Sequence, residues 1–181
     1  MAGDAGEEQP GFSATARAVE PEAHHTPVLH DQVMFWLEPR SGHSYIDATV
    51  GLGGHCAGIL ALSAPDGRVL AIDRDAQALE LARRNLAAYE DRVVFAQARH
   101  AELALVARAH GFAAVNGILF DLGVSSLQLD EPSRGFSFQK DGPLDMRMGS
   151  DAAVTAEEIV NTWTEQELAR IIYLYGEEPQ A

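Results

Sequence analysis

The alternation of strand and helix constrains this chain more than any other feature. Short apolar runs at Ser44–Val50, Arg68–Ile72, Val93–Ala96 and Gly117–Phe120 read as strands. Between them His55–Leu62, 76–88 and Glu102–Ala109 space their apolar residues as helices do. Val28–Leu37 precedes the first strand with apolar residues at 29, 33, 36 and 37, again one helical face. Strands separated by helices pair in parallel rather than as hairpins. The pattern therefore predicts an α/β fold with a parallel sheet and its ligand groups at the carboxyl ends of the strands.

Those ends carry the informative residues. The first strand runs into Gly51-Leu-Gly53-Gly54, a loop whose backbone N–H groups can approach a ligand closely. A dinucleotide fingerprint would require a third glycine at position 56, where Cys56 stands. Asp47 lies ahead of the loop, and a carboxylate there suits a cationic ligand. S-adenosylmethionine, with an ammonium and a sulfonium, is such a ligand. Asp73 ends the second strand twenty residues after Gly53, the spacing at which a carboxylate takes ribose hydroxyls. Asp75 then serves as N-cap of the next helix. Asp121 ends the fourth strand. It reads either as a turn-former before Gly123 or as an acceptor beside the reacting groups. The Asn/Asp-Pro-Pro-aromatic run of many amine methylases is absent.

After residue 123 the alternation stops. Residues 124–150 form a long Gly- and Pro-punctuated segment, of the kind usually tied to function. Thr155-x-x-Glu158 and Thr164-x-x-Glu167 then read as capping boxes of two short helices. Residues 1–23 lack an apolar period and read as a flexible acidic tail without the features of a secretory or mitochondrial leader. This gives three units: the tail at 1–23, a ligand-binding core at 24–123, and a substrate loop with the start of a helical insertion at 124–181. The net charge is −14, which argues against a nucleic-acid partner until its distribution is read. Residues 1–30 hold five acids and one base, and residues 151–181 hold seven acids and one base. The middle, with fifteen acids and eleven bases, leaves room for a local basic face. No apolar run is long enough for a membrane span. The one cysteine excludes a disulfide framework or a multi-cysteine metal site and fits a reducing, cytoplasmic setting. His24, His25 and His30 lack the cysteine or carboxylate companions of a metal site. Trp36 and Trp163 sit on apolar helix faces and are expected in the core, as is the small side chain of Cys56.

Seven stretches together resemble one family. They are His25-Thr-Pro-Val-Leu29, Asp47-Ala-Thr-Val-Gly-Leu-Gly-Gly-His55, Ala71-Ile-Asp-Arg-Asp75 and Asp121-Leu-Gly-Val-Ser-Ser-Leu-Gln-Leu-Asp130, then Arg134-Gly-Phe-Ser-Phe138, Asp141-Gly-Pro-Leu-Asp-Met-Arg-Met148 and Tyr175-Gly-Glu-Glu178. The chain resembles, from about residue 24 to 178, the RsmH (MraW) family of bacterial 16S rRNA cytosine-N4 methyltransferases. The resemblance implies a class I, Rossmann-like methyltransferase sheet with an inserted helical domain. It implies S-adenosylmethionine as cofactor, and as substrate the 2′-O-methylated cytidine at rRNA position 1402 in the small ribosomal subunit. Carried onto this sequence, the cofactor contacts fall on Gly53, Gly54, His55, Asp73, Asp121 and Gln128. His100 aligns where the family often has Phe, and Leu127 where Pro is common.

Proton acceptors for the cytosine amine are expected among Asp121, Ser125 and Ser126. Phe136 and Phe138 either stack on unpaired bases or fold the loop onto a small core of its own. Arg134, Lys140 and Arg147 are candidates for phosphate contacts. A methyltransferase for another RNA or a small molecule is the first alternative, and a non-catalytic remnant the second. The family's pattern continues with a basic helical stretch and further strands. The chain as given is therefore expected to lack the C-terminal strands of the sheet, to catalyse poorly alone, and to need a dimer partner or second polypeptide if it is active.

Overall fold

The computed structural model describes residues 27–181. The tail at 1–23, and His24 and His25, lie outside the described residues. Helix α1 (His30–Leu37) leads into strand β1 (Ser44–Asp47), followed by α2 (Gly54–Leu62), β2 (Arg68–Asp73), α3 (Ala76–Asn85), β3 (Val93–Gln97), α4 (Leu103–Ala109) and β4 (Gly117–Leu119). Three short helices complete the order: α5 (Ser126–Asp130), α6 (Ala156–Thr162) and α7 (Glu165–Gly176). The four strands form one parallel sheet in the order β3-β2-β1-β4. The order reverses between β2, β1 and β4, which opens a crevice at the carboxyl end of β1.

Strand periodicity divides the core. Tyr45, Val69 and Ala71 point to one face and pack with Cys56, Ile59 and Leu60 of α2, Leu79 and Ala82 of α3, and Met34 of α1. Ile46, Leu70 and Ile72 point to the other face, against Ala107 of α4 and Phe112 beyond it. Both faces of β1 and β2 are covered, so these strands read as continuous apolar runs rather than alternating ones. Each fully buried Ile or Leu contributes about 1.5–3 kcal/mol of burial energy. Strand β4 pairs with β1 alone among the described residues, and Ile118 and Phe120 are exposed.

Local signals explain the helix starts. Asp75 accepts from Gln77 N at 2.9 Å and caps α3. Thr155 and Thr164 cap α6 and α7, and Glu167 closes the second box reciprocally. The segment 124–150 is not wholly irregular. Ser125 and Gln128 form a reciprocal capping box that starts α5, a five-residue helix too short to show a period. Two expectations are corrected here: Trp36 is 81% exposed and Trp163 38% exposed, so neither is a core residue. Phe35 and Val160 on the same helices are exposed as well, whereas Val33, Met34 and Leu37 of α1 pack on the core, so only part of the face that the sequence period marks is covered.

Candidate active site

A cleft of about 530 Å³ lies at the carboxyl ends of the strands, lined by the loop after β1, the ends of β2 and β4, and residues 121–128. Its framework is the glycine loop. Gly51 and Gly53 take φ of 52° and 91°, in the left-handed region that other residues avoid. A Cβ on Gly54 would lie 2.3 Å from Pro27, so the start of α2 admits no side chain there. Asp73 holds this loop from across the sheet. Gly51 N donates to Asp73 Oδ2 and Asp75 N donates to Oδ1, each at 2.9 Å. A carboxylate oxygen accepts more than one bond, so both oxygens keep capacity toward the cleft.

Asp47 sits beneath the loop and is 1% exposed. Thr49 N donates to its Oδ1 at 3.1 Å, while Oδ2 is buried without a hydrogen-bond partner. Burial pushes the Asp47 carboxyl up to about 7, and the nearby charges of Asp73 and Asp121 add to the rise. Three acidic side chains thus gather at the glycine loop, Asp73 and Asp121 lining the cleft and Asp47 buried beneath it. Such a floor repels a diphosphate and attracts a cation.

Asp121 stands over the cleft with a half-exposed side chain. Its backbone N donates to Thr49 Oγ1 at 2.7 Å, which ties the end of β4 to the glycine loop. The buried His55 donates through Nε2 to Val28 O at 3.0 Å, and its Nδ1 lies 3.9 Å from Asp121 Oδ2. His100 lines the cleft with its ring fixed. Its Nε2 donates to Ala48 O at 3.1 Å, and the ring meets Phe120 edge-on at 5.3 Å between centroids. Gln128 is buried and lines the cleft, with its Oε1 accepting from Ser125 N.

The family model of the MraW methylase family matches residues 22–181. The chain belongs to this family. It is 50% identical over 157 residues to Ribosomal RNA small subunit methyltransferase H of Thermomicrobium roseum, covering 87% of this chain and 48% of that protein. A protein of the same name from a Cyanothece species is 51% identical over 160 residues, covering 88% of this chain and 52% of its own length. The chain spans about half the length of the curated relatives it matches. Among solved structures, a putative rRNA methylase from Clostridium thermocellum superposes over 52% of this chain and 49% of its own, at 24% identity and a TM-score of 0.43. The C-terminal domain of precorrin-6Y C5,15-methyltransferase from Rhodobacter capsulatus covers 60% of this chain and 56% of its own, at 19% identity and a TM-score of 0.45.

Against the MraW motifs, the structure brings Gly54, His55, Asp73, His100, Asp121, Ser125, Ser126 and Gln128 to one cleft. Gly53 stands behind the lining, where a Cβ would lie 3.0 Å from Leu86. Ser125 has a structural task, since its Oγ accepts from Gln128 N and caps α5. The residues of the Arg134–Phe138 stretch do not line the cleft. Phe138 is wholly exposed and Phe136 half-buried, so Phe138 takes no part in a core of the loop's own.

Arg134 does not face solvent as a phosphate contact would. It pairs with Asp75 at 2.5 Å and donates to Arg147 O and Met148 O, with its side chain 18% exposed. Arg147 forks onto Asp145 at 2.8 and 2.7 Å and, through those bonds, holds that carboxyl down to about 2. Lys140 donates to Asp130 O. Sequence reasoning missed Thr49, Arg74, Arg99 and Met148, all on the cleft wall. Arg74 and Arg99 each follow a strand end by one or two residues, a signal that position alone could have supplied.

Proposed function

We propose that the cleft holds S-adenosylmethionine and that the intact protein methylates 16S rRNA, at N4 of the 2′-O-methylated cytidine 1402. The observation that carries the cofactor reading is the convergence of Asp47, Asp73 and Asp121 on the glycine loop, with Asp47 Oδ2 buried and unpartnered. The residues present fit the cofactor. Asp73 takes the ribose hydroxyls, Gly53, Gly54 and His55 contour the amino-acid end, His100 meets the adenine and Gln128 closes the side. Family membership and the names of the relatives support the substrate. Residues 24–123 serve as the cofactor core and 124–181 as the substrate loop and the start of a helical insertion.

When bound, S-adenosylmethionine supplies a methyl carbon made electrophilic by the sulfonium. The chain's own residues contribute positioning and exclusion of water. The cytosine amine is a poor nucleophile because its lone pair is delocalised into the ring. Asp121 would accept a hydrogen bond from that amine, which localises the lone pair, and would take the proton the amine gives up when the methyl group passes to it and leaves the cofactor as a neutral thioether. Thr49 fixes the Asp121 backbone for this task. Phe138, wholly exposed, offers a ring for a neighbouring base, and Arg147 and Lys140 lie on the same loop.

Transfer of labelled methyl groups to small subunits that lack only this modification tests the reading, using the chain within its full-length protein. Incorporation at cytidine N4, abolished by Asp121→Ala, is the expected result. Incorporation into another RNA or a small molecule instead would overturn the substrate assignment.

A further inference from the structure

The segment between Gly135 and Asp151 is held over the ends of β2 and β3 by charge rather than by an apolar core. Asp151 accepts from two arginines at once. Arg74 Nε donates to its Oδ1 at 2.6 Å, and Arg99 Nε donates to its Oδ2. Arg99 Nη2 also donates to the Asp151 backbone oxygen at 3.4 Å. Arg74 follows β2 and Arg99 follows β3, so one carboxylate adds a link between two strand ends already joined by Ala98 N on Asp73 O and Gln97 Nε2 on Arg74 O, each at 3.1 Å. A second bolt, Arg134 on Asp75, anchors the same segment through the carbonyls of Arg147 and Met148. Gly149 is buried between them. A Cβ there would lie 2.7 Å from both Arg74 Cγ and Asp151 Oδ1. Arg74, Arg99 and Met148 all line the cleft.

We infer that Asp151 is a positioning residue for the cofactor: it draws Arg74 and Arg99 together, holds in place the segment that brings Met148 to the cleft wall, and offsets part of the positive charge of the two cations at the rim. This rests on the reading of the cleft as a site for S-adenosylmethionine. The electrostatics follow from that cofactor's own charge. Without Asp151, two guanidinium groups of like sign would line a cleft meant for a ligand carrying a sulfonium and an ammonium. A lone exposed ion pair contributes little, but here one carboxylate serves two arginines and a main-chain turn, so its loss releases a connected unit.

The test uses two variants that break the clasp differently. Asp151→Asn removes the charge and keeps the shape, while Gly149→Ala keeps every charge and forces the segment off Arg74. Calorimetry with S-adenosylmethionine should show each variant binding about tenfold more weakly than wild type. Asp151→Glu should recover part of the loss. Amide exchange without cofactor should speed up in residues 146–152, with the melting temperature nearly unchanged, since the buried core is not touched. If wild type binds and both variants bind within twofold of it, the positioning role is overturned while the cleft assignment stands. If wild type itself does not bind, both fall. If affinity drops but the amides at 146–152 exchange as in wild type, the clasp is not the cause and the inference fails.

Discussion

At the scale of single residues, Asp73 is asked to hold the glycine loop and to take the ribose. Hydrogen bonds to charged groups contribute about 1.5–3 kcal/mol, so Asp73→Ala should weaken S-adenosylmethionine binding about tenfold to a hundredfold by calorimetry. Asp73→Asn, which keeps one acceptor oxygen, should lose less. Unchanged affinity in a folded Asp73→Ala protein would remove the residue from the site. Asp47 makes a different prediction. Burial raises its carboxyl to about 7 in the fold, from about 4 for an aspartate in water. Between those values the folded state binds more protons at Asp47 than the unfolded one, so the contribution of Asp47 is fully present below about pH 4 and is lost as pH rises through about 7. Asp47→Asn should flatten that fall in urea denaturation midpoints. A cationic ligand near the floor favours the ionised form, so binding near neutral pH should release protons. Titrations in buffers of different ionisation enthalpy read this directly, and no buffer dependence would mean that ligand and Asp47 do not sense each other.

At the scale of elements, two pieces of the 124–151 segment can be separated by experiment. Helix α5 has five residues and depends on its capping box. Ser125→Ala should cost about 1 kcal/mol locally, seen as faster exchange of the α5 amides, because so short a helix has little else to hold it. The role proposed for the aromatic pair beyond it is substrate binding. Phe138→Ala should leave the melting temperature and cofactor affinity unchanged, since the ring is wholly exposed, while weakening RNA binding by about 1–3 kcal/mol. Phe136→Ala should also spare the cofactor. A drop in cofactor affinity with RNA binding intact would place this loop on the wrong side of the cleft.

At the scale of the whole molecule, apolar surface is unevenly covered. The faces of β1 and β2 are sealed, whereas Ile118 on β4 and Phe120 just after it, Phe35 and Trp36 on α1, and Tyr173 to Tyr175 on α7 are exposed. An edge strand with bare apolar side chains is a template for association. Residues 1–181 alone should therefore self-associate in sedimentation velocity at micromolar concentration, and Ile118→Lys should reduce it. A monodisperse wild-type monomer that binds no hydrophobic dye would contradict this. In the sealed part, Ile59→Ala should cost about 2–5 kcal/mol, because the vacated space lies between α2 and the sheet, where nothing can collapse into it.

What the sequence determined by itself was whatever depends on neighbours along the chain. The four strands follow from apolar runs bounded by Gly and Asp, the caps at Asp75, Thr155 and Thr164 from side chains reaching two or three residues ahead, and the glycine loop from its spacing. Asp73 and Asp121 were legible for the same reason, since each stands at a strand end, whereas His55 and Gln128 came from the family resemblance alone. The tertiary structure decided what depends on residues far apart. Asp151 meets Arg74 and Arg99 across 77 and 52 positions, and Arg134 meets Asp75 across 59. No local period carries such pairings, so an arginine that read as a phosphate contact became a strut. Burial was also beyond local reach. Trp36 and Asp47 each lie within or beside apolar sequence, yet one is exposed and the other sealed beneath a loop, because exposure is set by which elements pack together and not by the run a residue belongs to.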